Sequence, residues 1–146
     1  PCDTFSVTPS PPTLPMPSLA LPSVPESVSL AVDAAEAAVA DAGLSDEVLG
    51  RVSLAVAEAV ANAIEHGNDG EVSKRVRIDL LPAPERLDVT ICDEGSGVEV
   101  DRVESAELPE DLLQTHGRGL FLIRVLTDEC RAEAGCFHLG FVEREA

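Results

Sequence analysis

The spacing of apolar residues changes at 67–70, and this change constrains the fold more than any other feature of the chain. Before it, apolar residues recur every three or four positions, which is typical of a helix with one buried face. After it they alternate with polar residues over 76–80 and again over 87–91, as in strands with one buried face. Two glycines at 67–70 break the pattern. The sequence therefore predicts a helix followed by an antiparallel hairpin that helices cover on one side.

The N-terminal half adds a strand and another helix. We expect a short strand at 18–21, followed by a helix whose capping box uses Ser23 as the N-cap and Glu26 as its partner. Gly43 should end that helix. A second helix should begin at Ser45, with acidic residues in its first turn, and run to about His66.

The C-terminal part predicts one more helix and two strands. The helix should span about 118–127, and the strands about 128–134 and 136–143, joined at Gly135. The order β-α-α-β-β-α-β-β predicts an α+β fold: a two-layer α/β sandwich whose mixed, mostly antiparallel sheet is covered on one face by helices.

Composition divides the chain into a tail and one domain. Residues 1–17 hold six of the eleven prolines and should form an extended tail or linker, whereas 18–146 is long enough for one packed domain. No apolar run approaches the roughly 20 residues of a membrane span, and no signal-peptide pattern is visible. We therefore expect a cytoplasmic protein that does not insert into membranes.

The charge balance limits the choice of partners. Ten basic and 27 acidic residues give a net charge of −17, which repels a phosphate backbone and argues against direct binding of DNA or RNA. The same charge would suit a basic protein partner. It is equally consistent with a solvated acidic surface that serves only solubility.

The four cysteines form no CxxC pair and no disulfide framework. We expect reduced thiols and no zinc site at these positions, since none has the spacing of zinc ligands. They are Cys2, Cys92, Cys130 and Cys136.

Three separated motifs carry candidate chemistry, and the first lies at the end of the second predicted helix. Glu58 and Asn62 are four residues apart, so they share one face. This face lies beside the apolar stripe of the helix, which consists of Val52, Val56, Ala59, Val60 and Ala63. This pairs a carboxylate that can act as a base with an amide oxygen that suits Mg²⁺. The alternative is a solvated glutamate and a chance asparagine. His66 lies one turn further, where a hydrogen-bonded residue at a helix end is favoured over a metal ligand.

The second motif follows the predicted strand at 87–92. Asp93 can accept a hydrogen bond from the exocyclic amine of adenine, and Gly95 and Gly97 would let the backbone pass close to a base. Taken alone, the motif is equally consistent with a calcium-type loop or a plain turn.

The third motif opens the predicted helix at 118–127. Gly117 and Gly119 flank Arg118, and backbone N–H groups at such a helix start can bind phosphate. A structural helix cap is the alternative. The chain contains no G-x-x-x-x-G-K-[ST] sequence, so the site is not a P-loop.

With these motifs in this order, the chain resembles the GHKL (Bergerat) ATPase/kinase superfamily, most closely its bacterial anti-sigma factors that are also serine-protein kinases. The resemblance covers nearly all of 18–146. It implies that Glu58 is the general base, that Asn62 binds Mg²⁺ and that Asp93 recognises adenine. It also implies nucleotide contacts by a larger set: His66, Gly95, Gly97, Gly117, Arg118, Gly119 and Leu120.

The resemblance further implies a serine/threonine-protein kinase that binds ATP or ADP with Mg²⁺. It would phosphorylate a STAS-domain anti-sigma factor antagonist, bind a sigma factor in its other state, and form a homodimer. The acidic stretch 98–115 would be a lid over the phosphates. One departure is Thr115–His116, near which related kinases often have a basic residue. This departure puts the rate of phosphoryl transfer in question, but not nucleotide binding. A non-catalytic nucleotide-sensing module and a histidine-kinase ATP-binding domain remain alternatives.

Overall fold

A computed structural model describes residues 18–95 and 118–144, and it shows an α+β fold in two layers. A five-stranded sheet of order β1-β2-β3-β5-β4 forms one layer, and its described pairings are all antiparallel. Three helices pack on one face. The elements are β1 Ser18–Pro22, α1 Glu26–Asp41, α2 Asp46–Asn62, a π-helical turn Ala63–Gly67, β2 Arg75–Ala83, β3 Arg86–Cys92, α3 Arg118–Leu126, β4 Glu129–Glu133 and β5 Cys136–Val142.

The core lies between the helices and the inner face of the sheet. Helix α2 packs between α1 and α3, and its predicted apolar stripe is buried throughout. Alternate residues of the three central strands face it, as the period of two predicts. These alternating residues of β2, β3 and β5 are all fully or nearly fully buried: Val76, Ile78, Leu80, Leu87, Val89, Ile91, Phe137, Leu139 and Phe141.

The two N-terminal helices begin in different ways. At α2 the prediction is confirmed: Ser45 is the N-cap, and its Oγ accepts a hydrogen bond from the N–H of Val48 at 3.4 Å. At α1 the predicted capping box is wrong. The N-cap is Pro25, without a side-chain cap, and the Ser23 hydroxyl instead donates to the carbonyl of Lys74 at 2.8 Å. A partner 51 residues away thus replaces the local one.

Helix α2 does not continue to His66 as an α-helix. After Asn62 the chain forms the π-helical turn Ala63–Gly67, which is closed by a hydrogen bond from the N–H of Asn68 to the carbonyl of Ala63 at 2.8 Å. Single π-helical turns of this kind are common at functional sites because they redirect the residues that follow them.

The expectation of reduced thiols is wrong for two of the cysteines. Cys92 and Cys136 are register partners on β3 and β5 and form a disulfide. The sequence could not show this, because 44 residues separate the pair and only the strand register brings them together. Cys130 is a free cysteine, and Cys2 lies outside the described residues.

A buried arginine fixes the N-terminal part of α2 to the rest of the molecule. Arg51 is 5% exposed and donates to Glu47, to Asp128 at 3.0 Å, and to the carbonyls of Leu126 and Val142 at 3.2 and 2.7 Å. Burial alone would lower the pKa of Arg51, but the hydrogen bonds to the two carboxylates raise it. The guanidinium thus stays charged while it links α2 to α3, to the residue before β4, and to β5.

None of the helices in the described ranges is long and apolar enough to cross a bilayer. The predicted tail, residues 1–17, falls outside those ranges, so its extended conformation stays a prediction.

Candidate functional site

The first and third motifs meet at the start of α3. A Cβ atom added at Gly119 would lie 2.7 Å from Glu58 Oε2 and 3.6 Å from Asn62 Nδ2. Both side chains project from α2 and are half-buried, whereas Gly119 is buried. The absence of a side chain at 119 therefore lets the carboxylate and the amide lie against the first turn of α3.

Glu58 and Asn62 can offer their polar atoms to a ligand. Within the described residues, neither side chain has a hydrogen-bond partner. Free N–H groups in the first turn of a helix favour an anion, and an amide oxygen beside them suits a hard cation. The pair thus combines a carboxylate with an amide whose oxygen could bind a cation, beside a helix start that could bind phosphate.

No group of three or more His, Cys, Asp or Glu residues in 18–95 and 118–144 is arranged to hold a metal ion. A cation at Asn62 would thus need most of its oxygen ligands from phosphate and water, which is how Mg²⁺ is commonly held. The side chain of His66, within the π-helical turn, is 46% exposed, and its Nε2 lies 4.0 Å from Glu65 Oε2.

The second motif lies against the π-helical turn that follows α2. Asp93 follows β3 and is half-buried. Its N–H donates to the carbonyl of Gly135 at 2.9 Å, and its Oδ1 accepts from the N–H of Gly95 at 2.8 Å. A small cavity between α2 and the sheet opens beside this carboxylate and is lined by Ala59, Ala63, Ile91, Asp93, Gly135, Cys136 and Phe137.

Two glycines allow this turn to pack closely. A Cβ on Gly67 would overlap the carboxylate of Asp93, and one on Gly95 would overlap the carbonyl oxygen of Gly67. Sequence reasoning identified Gly95 but treated Gly67 only as a helix breaker. Its position directly after His66 in the first motif was the available signal.

The remaining predicted residues are placed as follows. Gly97, Gly117 and the predicted lid 98–115 lie outside the described residues, and Arg118 begins α3. Leu120 is 7% exposed and belongs to the core, so its backbone rather than its side chain is available to a ligand.

Comparison with known proteins agrees with this geometry. The profile of the histidine kinase-like ATPase domain matches residues 21–140. The chain is 30% identical over 120 residues to the serine-protein kinase RsbW of Listeria monocytogenes serotype 4a (strain HCC23), covering 78% of this chain and 76% of that protein. It is 27% identical over 119 residues to the serine-protein kinase RsbW of Bacillus subtilis (strain 168), covering 77% and 74%.

A similar fold occurs in the histidine kinase domain from the Erythrobacter litoralis EL346 blue-light activated histidine kinase. The TM-score is 0.50 and the sequence identity 18%, and the match covers 84% of this chain and 61% of that one. This chain thus spans less than two thirds of that domain, and the similarity concerns the fold alone.

Proposed function

Because the chain belongs to the histidine kinase-like ATPase domain family, we propose that it binds Mg-ATP and is a serine/threonine-protein kinase. The observation that carries the proposal is the convergence of Glu58 and Asn62 on Gly119 at the start of α3. That arrangement supports the proposal, because a carboxylate that can act as a base and an amide that can bind a cation lie beside a helix end that favours phosphate.

Each residue then has a distinct task. Asn62 would hold Mg²⁺, which neutralises phosphate charge when bound. The first turn of α3 would bind phosphate oxygens through its N–H groups. Glu58 would accept the proton of the attacking hydroxyl, and Asp93 would accept a hydrogen bond from adenine. Phosphoryl transfer depends mainly on such positioning and charge stabilisation.

The protein partners belong to the same proposal. Two relatives are named serine-protein kinases, and the sequence resemblance adds anti-sigma activity. We therefore propose a STAS-domain antagonist as the phosphorylated substrate, a sigma factor as the alternative partner, a homodimer and a cytoplasmic location. The net charge of −17 would favour a basic surface on a partner.

A non-catalytic nucleotide-sensing module is the second candidate, and Thr115–His116 favours it because related kinases often carry a basic residue there. Transfer of labelled phosphate from ATP to members of a STAS-domain panel separates the two functions. Phosphorylation of a serine or threonine supports the kinase. Binding of ATP without transfer to any panel member supports the module.

Calorimetry with the purified protein tests the nucleotide site itself. ATP and ADP should bind in preference to GTP, and Asp93→Asn should weaken adenine-nucleotide binding by about ten- to a hundredfold, because one hydrogen bond to a charged group is lost. Equal ATP affinity in Asp93→Asn and the unmodified protein would contradict the assignment of Asp93.

A further inference from the structure

Asn68 is a fully buried polar residue beside the candidate site, and none of the three motifs explains it. It follows the π-helical turn and has 0% exposure. Burying an amide costs free energy unless its donors and acceptor are paired. The hydrogen-bond partners of Asn68 therefore indicate which segments its side chain holds together.

The side chain of Asn68 joins three segments that are distant in sequence. Its Nδ2 donates to Ser23 Oγ at 2.9 Å and to the carbonyl of Arg75 at 3.1 Å. Its Oδ1 accepts from the N–H of Glu94 at 2.8 Å. The amide thus ties the β1–α1 connection and the start of β2 to the turn that follows β3.

The contact with Glu94 acts on the peptide directly after Asp93. That turn is then held on both sides, since the N–H of Asp93 donates to Gly135 and the next N–H donates to Asn68. The Glu94 carboxylate adds a contact to the N–H of Arg75. With the backbone fixed at two successive N–H groups, the Asp93 carboxylate has few directions left in which to point.

We propose that Asn68 is a positioning residue of the nucleotide site: through the N–H of Glu94 it sets the direction of the Asp93 carboxylate and hence the preference for adenine. The inference rests on the proposed function. Substituting a residue needed only for folding would lower the affinity for every ligand alike. Substituting a residue that positions Asp93 for the base would lower the affinity for adenine nucleotides and leave phosphate binding unchanged.

The test compares ligands with and without adenine. Calorimetry on the unmodified protein, Asn68→Ala and Asn68→Asp would use Mg-ATP, Mg-GTP and Mg-tripolyphosphate. Asn68→Ala should weaken ATP about tenfold, the effect of one such hydrogen bond, and leave tripolyphosphate within about twofold. Asn68→Asp keeps an acceptor for Glu94 and should keep the preference for ATP over GTP at lower stability.

Ser23→Ala is the matched control, because it removes a partner of Asn68 on the side away from Asp93. Both Ser23→Ala and Asn68→Ala should unfold at lower denaturant concentration, but Ser23→Ala should bind ATP normally. Should Asn68→Ala fail to fold, Asn68→Asp still tests the inference, because a lost preference for ATP in a variant that keeps the acceptor for Glu94 overturns it.

The outcomes also separate this inference from the proposed function. An unmodified protein that binds no ATP overturns the proposed function and the inference together. The inference alone is overturned by a different combination of results. In that case the unmodified protein binds ATP and Asp93→Asn weakens this binding, but Asn68→Ala keeps the preference for ATP over tripolyphosphate.

Discussion

The polar side chains at the two ends of helix α2 differ in their hydrogen bonding. At the N-terminal end, Ser45 hydrogen-bonds to Glu143, and Arg51 donates to two carboxylates and two carbonyls. At the C-terminal end, Glu58 and Asn62 are half-buried and have no hydrogen-bond partner among the residues that the structure describes. The polar groups at the N-terminal end are thus hydrogen-bonded within the protein, whereas those at the C-terminal end are suited to binding a ligand.

The difference shows how one helix can be both support and site. Groups that bind a ligand are effective when neighbouring structure holds them in place and does not compete for their polar atoms. Arg51 anchors α2 two turns before Glu58, so the helix needs no anchoring from the residues of the site. Mutations at the two ends should therefore separate activity from stability.

The largest effect should come from Glu58→Gln, which removes the charge with little change in shape. If Glu58 is the general base, phosphoryl transfer should fall by about 10²–10⁴-fold. The unfolding midpoint should stay the same, since no internal hydrogen bond is lost. Labelled-phosphate transfer and urea denaturation measure the two quantities. A rate of phosphoryl transfer equal to that of the unmodified protein, or a large loss of stability, would contradict the proposed difference between the two ends of α2.

The opposite result is expected for Arg51→Met. This change should lower the free energy of unfolding by about 3–5 kcal/mol, because it removes the buried guanidinium that donates to Asp128 and to the carbonyls of Leu126 and Val142. The folded variant should bind ATP normally. Arg144→Met is the control: Arg144 also contacts Asp128, at 3.2 Å, but is 43% exposed and should cost no more than about 1 kcal/mol.

Reduction of the Cys92–Cys136 disulfide tests how the sheet is held beside the site. The bond closes a segment with a sequence separation of 44, and losing it should cost about 2–4 kcal/mol of unfolding free energy. Urea denaturation with and without a dithiol reductant measures this cost, and Cys130→Ser should respond to the reductant as the unmodified protein does. Identical midpoints in both conditions would restore the expectation of free thiols.

The smallest expected effect is on the pH dependence of the free energy of unfolding. Burial alone would raise the pKa of Asp128, but hydrogen bonds from Val142, Arg51 and Arg144 hold it below its ordinary value. A lowered carboxyl pKa stabilises the fold above the unfolded value of about 3.9, and this contribution is lost as pH falls further. Asp128→Asn should therefore be less stable at pH 6, with the difference shrinking towards pH 3 in denaturation curves. A difference that does not change with pH would contradict this.

The features that the sequence predicted are those set by local periodicity. The stripe on α2 and the alternation in β2 and β3 predicted the sheet, its buried face and the helix layer, because burial repeats with the period of each element. The pairing of Glu58 with Asn62 followed from helix geometry in the same way.

The features that it missed depend on distant partners. Ser23 interacts with Lys74 instead of capping α1, and Cys92 meets Cys136 through strand register. The role of Asn68 is visible only once the start of β2 and the turn after β3 lie beside it. A one-dimensional pattern carries no signal for such contacts, even where the residue types are suggestive.

The packing of Gly67 against Gly95 predicts that the protein tolerates substitution at these two positions to different extents. At Gly67 a methyl group would meet the carboxylate and the Cβ of Asp93, whereas at Gly95 it would meet the backbone carbonyl of Gly67 at still closer range. A saturation library sorted for folded protein should therefore deplete alanine at both positions, and more strongly at 95 than at 67. Sorted for nucleotide binding, the same library should reject it at both.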